Sequence, residues 1–455
     1  MMLQARPIRS VLIANRGEIA VRVIRACHEL GLQAIQVYSE ADRDSLPVQL
    51  ADGSICIGPP PSSRSYLRSD LLIDAARTAK ADAIHPGYGF LSENAAFAQA
   101  CEQARIVFIG PSARAIALMG DKATARRIAV EAGVAITPGS PGTVADASAA
   151  RAAASELGYP VLLKAAAGGG GRGMRVVREE AQLASHFADA AREALAAFGD
   201  GSMYVEKFLE RVRHVEIQIL SDGDTVLHLG ERDCSIQRRN QKLVEESPSP
   251  VLDDTVRARM GDAAVRICRH IGYRSAGTIE FILDATSGAF YFMEMNTRIQ
   301  VEHPVTEAVT GIDIVKEQIR VAQGERLRIT QDQVRLTGHA LECRINAEDP
   351  ARNFAPSPGH IQTLRLPGGP GIRIDSHAYE GYVVPAYYDS LLAKVIAWGQ
   401  DRNEAIARMR RALSEMRVQG VHTTIAFHAR LLADERFCRG DVHTRFVEDE
   451  LMRIA

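Results

Sequence analysis

Glu280 and Glu294 stand in two apolar runs, 276–283 and 290–296, on either side of the turn-like segment Asp284-Ala285-Thr286-Ser287-Gly288. A hairpin centred on residue 287 sets the two glutamates directly opposite each other, where like charges destabilise a strand pair. Asn296 shares their face by the period-two rule. Two carboxylates and an amide oxygen are ligands that Mg²⁺ accepts, with water and phosphate oxygens completing its octahedron. The alternative, two acids on an outer solvated face, fits poorly with the apolar residues around them. The alternation then continues through Arg298, Gln300 and Glu302, against a back of Met293, Met295, Thr297, Ile299 and Val301. An extended chain here aligns acid, amide and guanidinium along one surface, a mixture suited to a small polar anion beside a metal. A second period-two stretch, 214–219, places His214, Glu216 and Gln218 on one face, where a lone histidine usually serves structure.

The run Gly168-Gly169-Gly170-Gly171-Arg172-Gly173 lies between two strand signals. Consecutive glycines let backbone N–H groups turn inward and approach an anion. No Gly-Lys-[Ser/Thr] follows and the next element is a strand, so this is not a P-loop. Lys164, at the end of the preceding strand, delivers a cation beside the loop and favours a polyphosphate over a bare hairpin tip. Glycine-rich flap, lysines and paired carboxylates together describe ATP handling without a Walker motif. The residues alone leave the acceptor open.

The elements that must position these groups fall into three regions. Up to about residue 110, strand signals (11–14, 34–37, 83–84, 106–109) alternate with helical ones (19–27, 71–79, 93–104). Such alternation implies a parallel, doubly wound sheet with ligands at the strand C-terminal ends. The first turn, Asn15-Arg16-Gly17-Glu18, is not GxGxxG, which argues against a dinucleotide. Domains are expected over 1–120 (N-terminal α/β), 121–330, with a mobile glycine-rich lid over about 137–208, and 331–455 (mixed α+β, with a helix over 403–416). The 54 Lys+Arg nearly balance the 56 Asp+Glu, for a net charge of −2. That balance supplies no general field for nucleic acid or an anionic membrane. The seven scattered cysteines form no CxxC pair and read as buried hydrophobes of a reducing compartment. With no signal-peptide core at the start and no long apolar run, a cytoplasmic protein is expected.

Longer motifs add a resemblance. The segments 13–20 (IANRGEIA), 85–94 (HPGYGFLSEN), 294–304 (EMNTRIQVEHP), 338–348 (GHALECRINAE) and 387–390 (YYDS) resemble biotin carboxylase, the ATP-grasp component of biotin-dependent carboxylases such as acetyl-CoA carboxylase. Matches run from about residue 8 to beyond 440. The resemblance implies a three-domain ATP-grasp enzyme in which Mg²⁺-ATP (or Mn²⁺-ATP) phosphorylates bicarbonate to carboxyphosphate, and the ureido nitrogen of biotin captures the CO₂ released. It implies that Lys122, Lys164 and the flap, Gly170 and Gly171 included, hold the phosphates. Glu206, Lys207 and Leu209 would line the adenine pocket, with His214 and Gln237 on the ribose side. Glu280 and Glu294 would ligate the metal beside Asn296, and Lys242, Arg298, Gln300 and the Val301 amide would grip bicarbonate. Glu302 would be the general base, Arg344 would stabilise the biotin anion, and Tyr88 would join the substrate site. Two positions depart from the family pattern: Asn240 replaces a customary His near the ribose, and Ala165-Ala166-Ala167 opens the flap where Ser and an extra Gly are common. No Ala-Met-Lys-Met biotinylation sequence is present, which implies a separate biotin carboxyl carrier protein and a separate carboxyltransferase; the resemblance also implies a homodimer. Another ATP-grasp carboxylating ligase, or a catalytically altered paralogue, is the alternative.

Overall fold

The computed structural model describes residues 7–166 and 173–452. Gly170 and Gly171 therefore lie outside the described residues. The described chain forms two compact units, one of residues 7–133, 214–281 and 294–452, the other of residues 134–166, 173–213 and 282–293.

In the first unit, β1 (Ser10–Ile13), β2 (Gln33–Tyr38), β3 (Gly53–Cys56), β4 (Ala83–His85) and β5 (Val107–Phe108) form a parallel sheet in the order β3-β2-β1-β4-β5. Parallel neighbours require crossovers, which the helices between them supply. Cover on both faces explains the unbroken apolar run Val11-Leu12-Ile13, all of it buried. The edge strand β3 carries no such run and alternates between exposed and half-buried residues, so hydrophobic patterning does not announce it. Strand order reverses between β1 and β4, the place where an open α/β sheet leaves a crevice for ligands. Two loops meet there. Asn15 Nδ2 donates to the carbonyls of Pro86 and Tyr88, both at 2.7 Å. Gly87 takes φ +62°, and a Cβ on it would lie 2.9 Å from that amide nitrogen, so only glycine lets the loops close.

The second unit contains β6 (Val161–Ala165), β7 (Met174–Val177) and β8 (Met203–Lys207) as an antiparallel sheet in the order β7-β6-β8. Helices Ala147–Leu157 and Glu180–Phe198 cover it through Ala150, Ala154, Leu183 and Ala190.

The larger sheet has the order β13-β12-β9-β10-β11-β14-β16-β15, from β9 (Val212–Ser221), β10 (Val226–Arg238), β11 (Gln241–Ser247), β12 (Ser275–Asp284), β13 (Phe290–Asn296), β14 (His339–Asn346), β15 (Ile372–Ser376) and β16 (Leu391–Gly399). Asp284 N–H donates to the Ala289 carbonyl at 2.8 Å and closes the β12–β13 turn. β10 and β11 pair Gln237 with Lys242 and Arg238 with Gln241. That leaves a two-residue turn, Arg239-Asn240, with φ of +48° and +65°. Type I′ hairpin turns need positive φ at both positions and favour Asn there. Arg239 N–H also donates to Glu448 Oε1 at 2.6 Å, and Arg238 Nη2 to the Asn353 carbonyl at 2.8 Å. Helix Arg402–Glu415 packs Met409, Ala412 and Leu413 against Val395 and Ala397 of β16.

The expectation of one extended chain from Glu294 to Glu302 is corrected. β13 ends at Asn296, the chain bends at 297–298 and turns at 301–302, and helix His303–Thr310 begins. Glu93 holds the bend, accepting from Thr297 N–H at 2.9 Å and from Arg298 Nε at 2.8 Å. Among the described residues no helix is long and apolar enough to cross a membrane.

Candidate active site

The order β12-β9-β10-β11 carries Glu280, Glu216, Arg232 and Lys242 across adjacent strands. Lys242 Nζ donates to Glu216 Oε2 at 2.6 Å, Glu280 Oε1 at 2.9 Å and Glu302 Oε1 at 2.7 Å. All three of an ammonium's protons are thus placed on carboxylates. Arg232, directly opposite Glu216 in the ladder, donates to Glu216 Oε1 at 2.6 Å and to Gln218 Oε1 at 2.7 Å. The face of His214, Glu216 and Gln218 is buried, and its one acid, Glu216, is paired with Arg232 and Lys242.

Glu302 is fully buried. Its second oxygen accepts from Arg344 Nη2 at 2.9 Å, while Arg344 Nε donates to Glu245 Oε1 at 2.6 Å. Burial pushes the Glu302 carboxyl up, but Lys242, Arg344 and Arg232 outweigh it and hold the group well below the usual carboxylate range. Glu302 is therefore ionised at neutral pH, as a proton acceptor must be. Behind Arg344, Glu245 of β11 stands directly opposite Glu342 of β14. Both Glu342 oxygens and Glu245 Oε2 are buried with no hydrogen-bond partner. Burial lifts Glu342 well above the usual carboxylate range against the pull of Lys394, and the Glu245 charge adds to the rise.

Glu280 Oε1 also accepts from Asn296 Nδ2 at 2.9 Å and Gln300 Nε2 at 3.2 Å, and Oε2 lies 3.0 Å from His214 Nε2. Burial pushes Glu280 up, but Lys242 and His214 bring it far below its ordinary value. Glu294, half-buried on the neighbouring strand, shifts the other way: burial raises it first and the Glu280 charge raises it further, with Lys122 and His214 opposing. An acid pair whose members repel through oxygen donors is what a hard divalent cation relieves. The donors fit Mg²⁺ or Mn²⁺. Ligand atoms of His214, Glu216 and Glu280 also lie within 4.8 Å of one another, which adds His214 to the residues able to reach such an ion.

Other residues that the resemblance assigns to substrate or nucleotide belong to the same unit. Arg298 donates to Asn296 Oδ1 and Gln300 Oε1, each at 2.8 Å. Tyr88 OH donates to Glu18. Lys122 is exposed at the start of helix Lys122–Glu131, which Asp121 caps by accepting from Thr124 N–H at 2.8 Å. Gln237 is buried, its amide 3.4 Å from the Cys234 carbonyl. Asn240 sits at the exposed hairpin tip. In the second unit, Lys164 pairs across the ladder with Tyr204, and its Nζ lies 3.6 Å from Glu206 Oε2. Lys207 Nζ donates to the Gly158 carbonyl at 2.8 Å, and Leu209 follows the end of β8. Sequence reasoning passed over Arg232, Glu245, Glu93 and Glu18. Only Glu18 carried a signal, its place in the first strand-to-helix turn.

Three domain families match: biotin carboxylase N-terminal domain over residues 7–116, carbamoyl-phosphate synthase L chain ATP-binding domain over 121–330, and biotin carboxylase C-terminal domain over 342–449. The chain is 59% identical over 440 residues to a biotin carboxylase of Nostoc sp., covering 96% of this chain and 98% of that one. It is 53% identical over 440 residues to a pyruvate carboxylase component of Methanothermobacter thermautotrophicus, covering 96% and 89%. Among solved structures, the biotin carboxylase domain of Hydrogenobacter thermophilus 2-oxoglutarate carboxylase, in complex with MgADP, ADP and bicarbonate, matches with TM-score 0.91 and 49% identity over 99% of each chain.

Proposed function

The chain belongs to the biotin carboxylase family, and on that premise we propose how its residues divide the work and which complex it serves. It is an ATP-dependent ligase that carboxylates biotin. The observation that carries the assignment of roles is the hold on Glu302: Lys242 on one carboxylate oxygen at 2.7 Å, Arg344 on the other at 2.9 Å. An ionised base stands between two cations that can each turn to an anionic substrate.

Glu302 takes the O–H proton of bicarbonate, whose oxygen then attacks the γ-phosphorus of ATP as ADP departs. Bicarbonate and a triphosphate repel each other, so cationic clamps are required to bring them together. Lys242, Arg298, Gln300 and the Val301 amide supply the clamp on bicarbonate. Mg²⁺ or Mn²⁺ held by Glu280 and Glu294, with Asn296 beside them, supplies charge neutralisation at the nucleotide phosphates. Lys122, Lys164 and the glycine run are assigned to those phosphates, Glu206, Lys207 and Leu209 to adenine, and His214 and Gln237 to the ribose side. Carboxyphosphate breaks into CO₂ and phosphate, the phosphate takes the ureido N–H proton of biotin, and the nitrogen attacks CO₂ while Arg344 steadies its anion and Tyr88 borders the ring.

Biotin arrives on a separate carrier protein, a separate carboxyltransferase completes the cycle, and the enzyme works as a cytoplasmic homodimer. Acetyl-CoA is the proposed final acceptor; pyruvate and 2-oxoglutarate, for which two relatives' carboxylases are named, are the outcomes that would replace it. The test is ATP hydrolysis with and without bicarbonate and free biotin. Turnover that needs bicarbonate and rises with biotin supports the reading. Bicarbonate-dependent turnover indifferent to biotin points to another ATP-grasp ligase, and no turnover to a silent paralogue.

A further inference from the structure

Lys394 of β16 is fully buried, and the chemistry above does not use it. Its Nζ donates to the Val301 carbonyl at 2.8 Å and lies 3.1 Å from Glu18 Oε1 and 3.9 Å from Asp375 Oδ2. In the sheet it stands directly opposite Arg344 of β14 and Asp375 of β15. Two cations opposed across a strand pair destabilise it, and an apolar side chain would fill the same space without that cost. The arrangement gains a grip on one loop from two adjacent strands. Arg344 holds the Glu302 carboxylate at 2.9 Å, and Lys394 holds the carbonyl of the preceding residue. The Val301–Glu302 peptide is thereby pinned by its oxygen, fixing the backbone from which the base projects.

The second contact leads elsewhere. Glu18 lies in the first turn of helix Gly17–Glu29, and the oxygen that faces Lys394 also accepts from Tyr88 OH. The ammonium thus joins the loop of the bicarbonate clamp to the tyrosine placed beside biotin. Burial alone would lower the Lys394 pKa, but Glu18, Glu342 and Asp375 raise it above the ordinary lysine value, so the group stays charged.

We infer that Lys394 is a positioning residue for biotin carboxylation, setting Glu302 through the Val301 carbonyl and Tyr88 through Glu18. The inference rests on the roles proposed above for Glu302, Val301 and Tyr88. Its test is Lys394→Met, which keeps the length and removes the charge. KM is measured separately for bicarbonate, biotin and ATP, alongside the thermal midpoint. Misplacing a reacting group by about 1 Å costs up to about 10²-fold. The bicarbonate and biotin KM values should each rise about tenfold or more, with the ATP KM within about twofold of wild type. An unchanged bicarbonate KM, or an ATP KM rising in step, overturns the inference. Because the single substitution strands Glu18, the double variant Glu18→Gln/Lys394→Met removes both charges and serves if the first does not fold. It should regain thermal stability and keep the bicarbonate defect. Recovery of the bicarbonate KM would show that Lys394 only balances charge. A wild-type enzyme that biotin does not stimulate would sink the functional proposal instead, and the two failures are read from different samples.

Discussion

Glu302→Gln tests the proposed base with little change of shape. The carboxylate accepts from Lys242 at 2.7 Å and Arg344 at 2.9 Å, and a glutamine oxygen can keep only one such bond well. Hydrogen bonds to charged groups contribute about 1.5–3 kcal/mol each. Lys242 retains Glu216 and Glu280, and Arg344 retains Glu245, so neither cation is orphaned. The expected stability loss is therefore about 1–3 kcal/mol, small enough to leave a folded protein. The rate effect should be far larger: losing a general base costs about 10²–10⁴-fold, or about 3–5 kcal/mol of barrier. ADP release is measured with and without bicarbonate, and nucleotide affinity by calorimetry in bicarbonate's absence. Turnover within about threefold of wild type, or nucleotide affinity collapsing in parallel, would refute the assignment. A pH profile adds a check. Glu302 is held well below the usual carboxylate range, so it takes up its proton only on strong acidification. Wild-type kcat/KM for bicarbonate should show no loss from this group between about pH 8 and 5; an acid limb near neutrality that Glu302→Gln abolishes would contradict the electrostatics.

Arg344→Ala should depress biotin carboxylation at least tenfold more than bicarbonate-dependent ADP release (about 1.4 kcal/mol), and equal losses would count against its role at biotin. Glu294→Gln removes one member of a repelling pair, so without divalent ion its thermal midpoint should rise, by up to about 1 kcal/mol of stability, while the Mg²⁺ needed for half-maximal turnover increases. Glu246 is pushed down to about 2 from an ordinary 4.5: burial would raise it, but His339 at 2.8 Å and Arg402 at 2.6 Å prevail. A depressed carboxyl adds stability that is present above its unfolded pKa and lost as pH falls toward the folded one. Chemical denaturation between about pH 4.5 and 2 should therefore lose about 3 kcal/mol that Glu246→Gln no longer shows. Asn240→His puts a less tolerant residue at positive φ and should cost about 1 kcal/mol in the same assay with Lys242 chemistry retained.

The repetition of short apolar runs and helical spacing up to residue 110 made the parallel sheet legible, because burial on both faces leaves that signature. Glu280 and Glu294 stood out for a similar reason: acids inside apolar runs need an explanation. The straight reading of 294–302 failed because the bend depends on Glu93, a residue remote in sequence that no local pattern could tie to Thr297. Arg232 and Glu245 were illegible on the same ground. Their meaning comes from partners on neighbouring strands, and strand order is settled by tertiary packing. Lys242 was reached only through resemblance, since a lysine beyond a hairpin turn ordinarily reads as a solvated end.

The tip of the β10–β11 hairpin is tied to Glu448, a residue remote in sequence, while its next residues deliver the lysine that gathers three acids. A change at Glu448 therefore acts on the far side of a short mechanical linkage to that cluster. Comparing turnover of Glu448→Ala with wild type would show directly how stiff the linkage is.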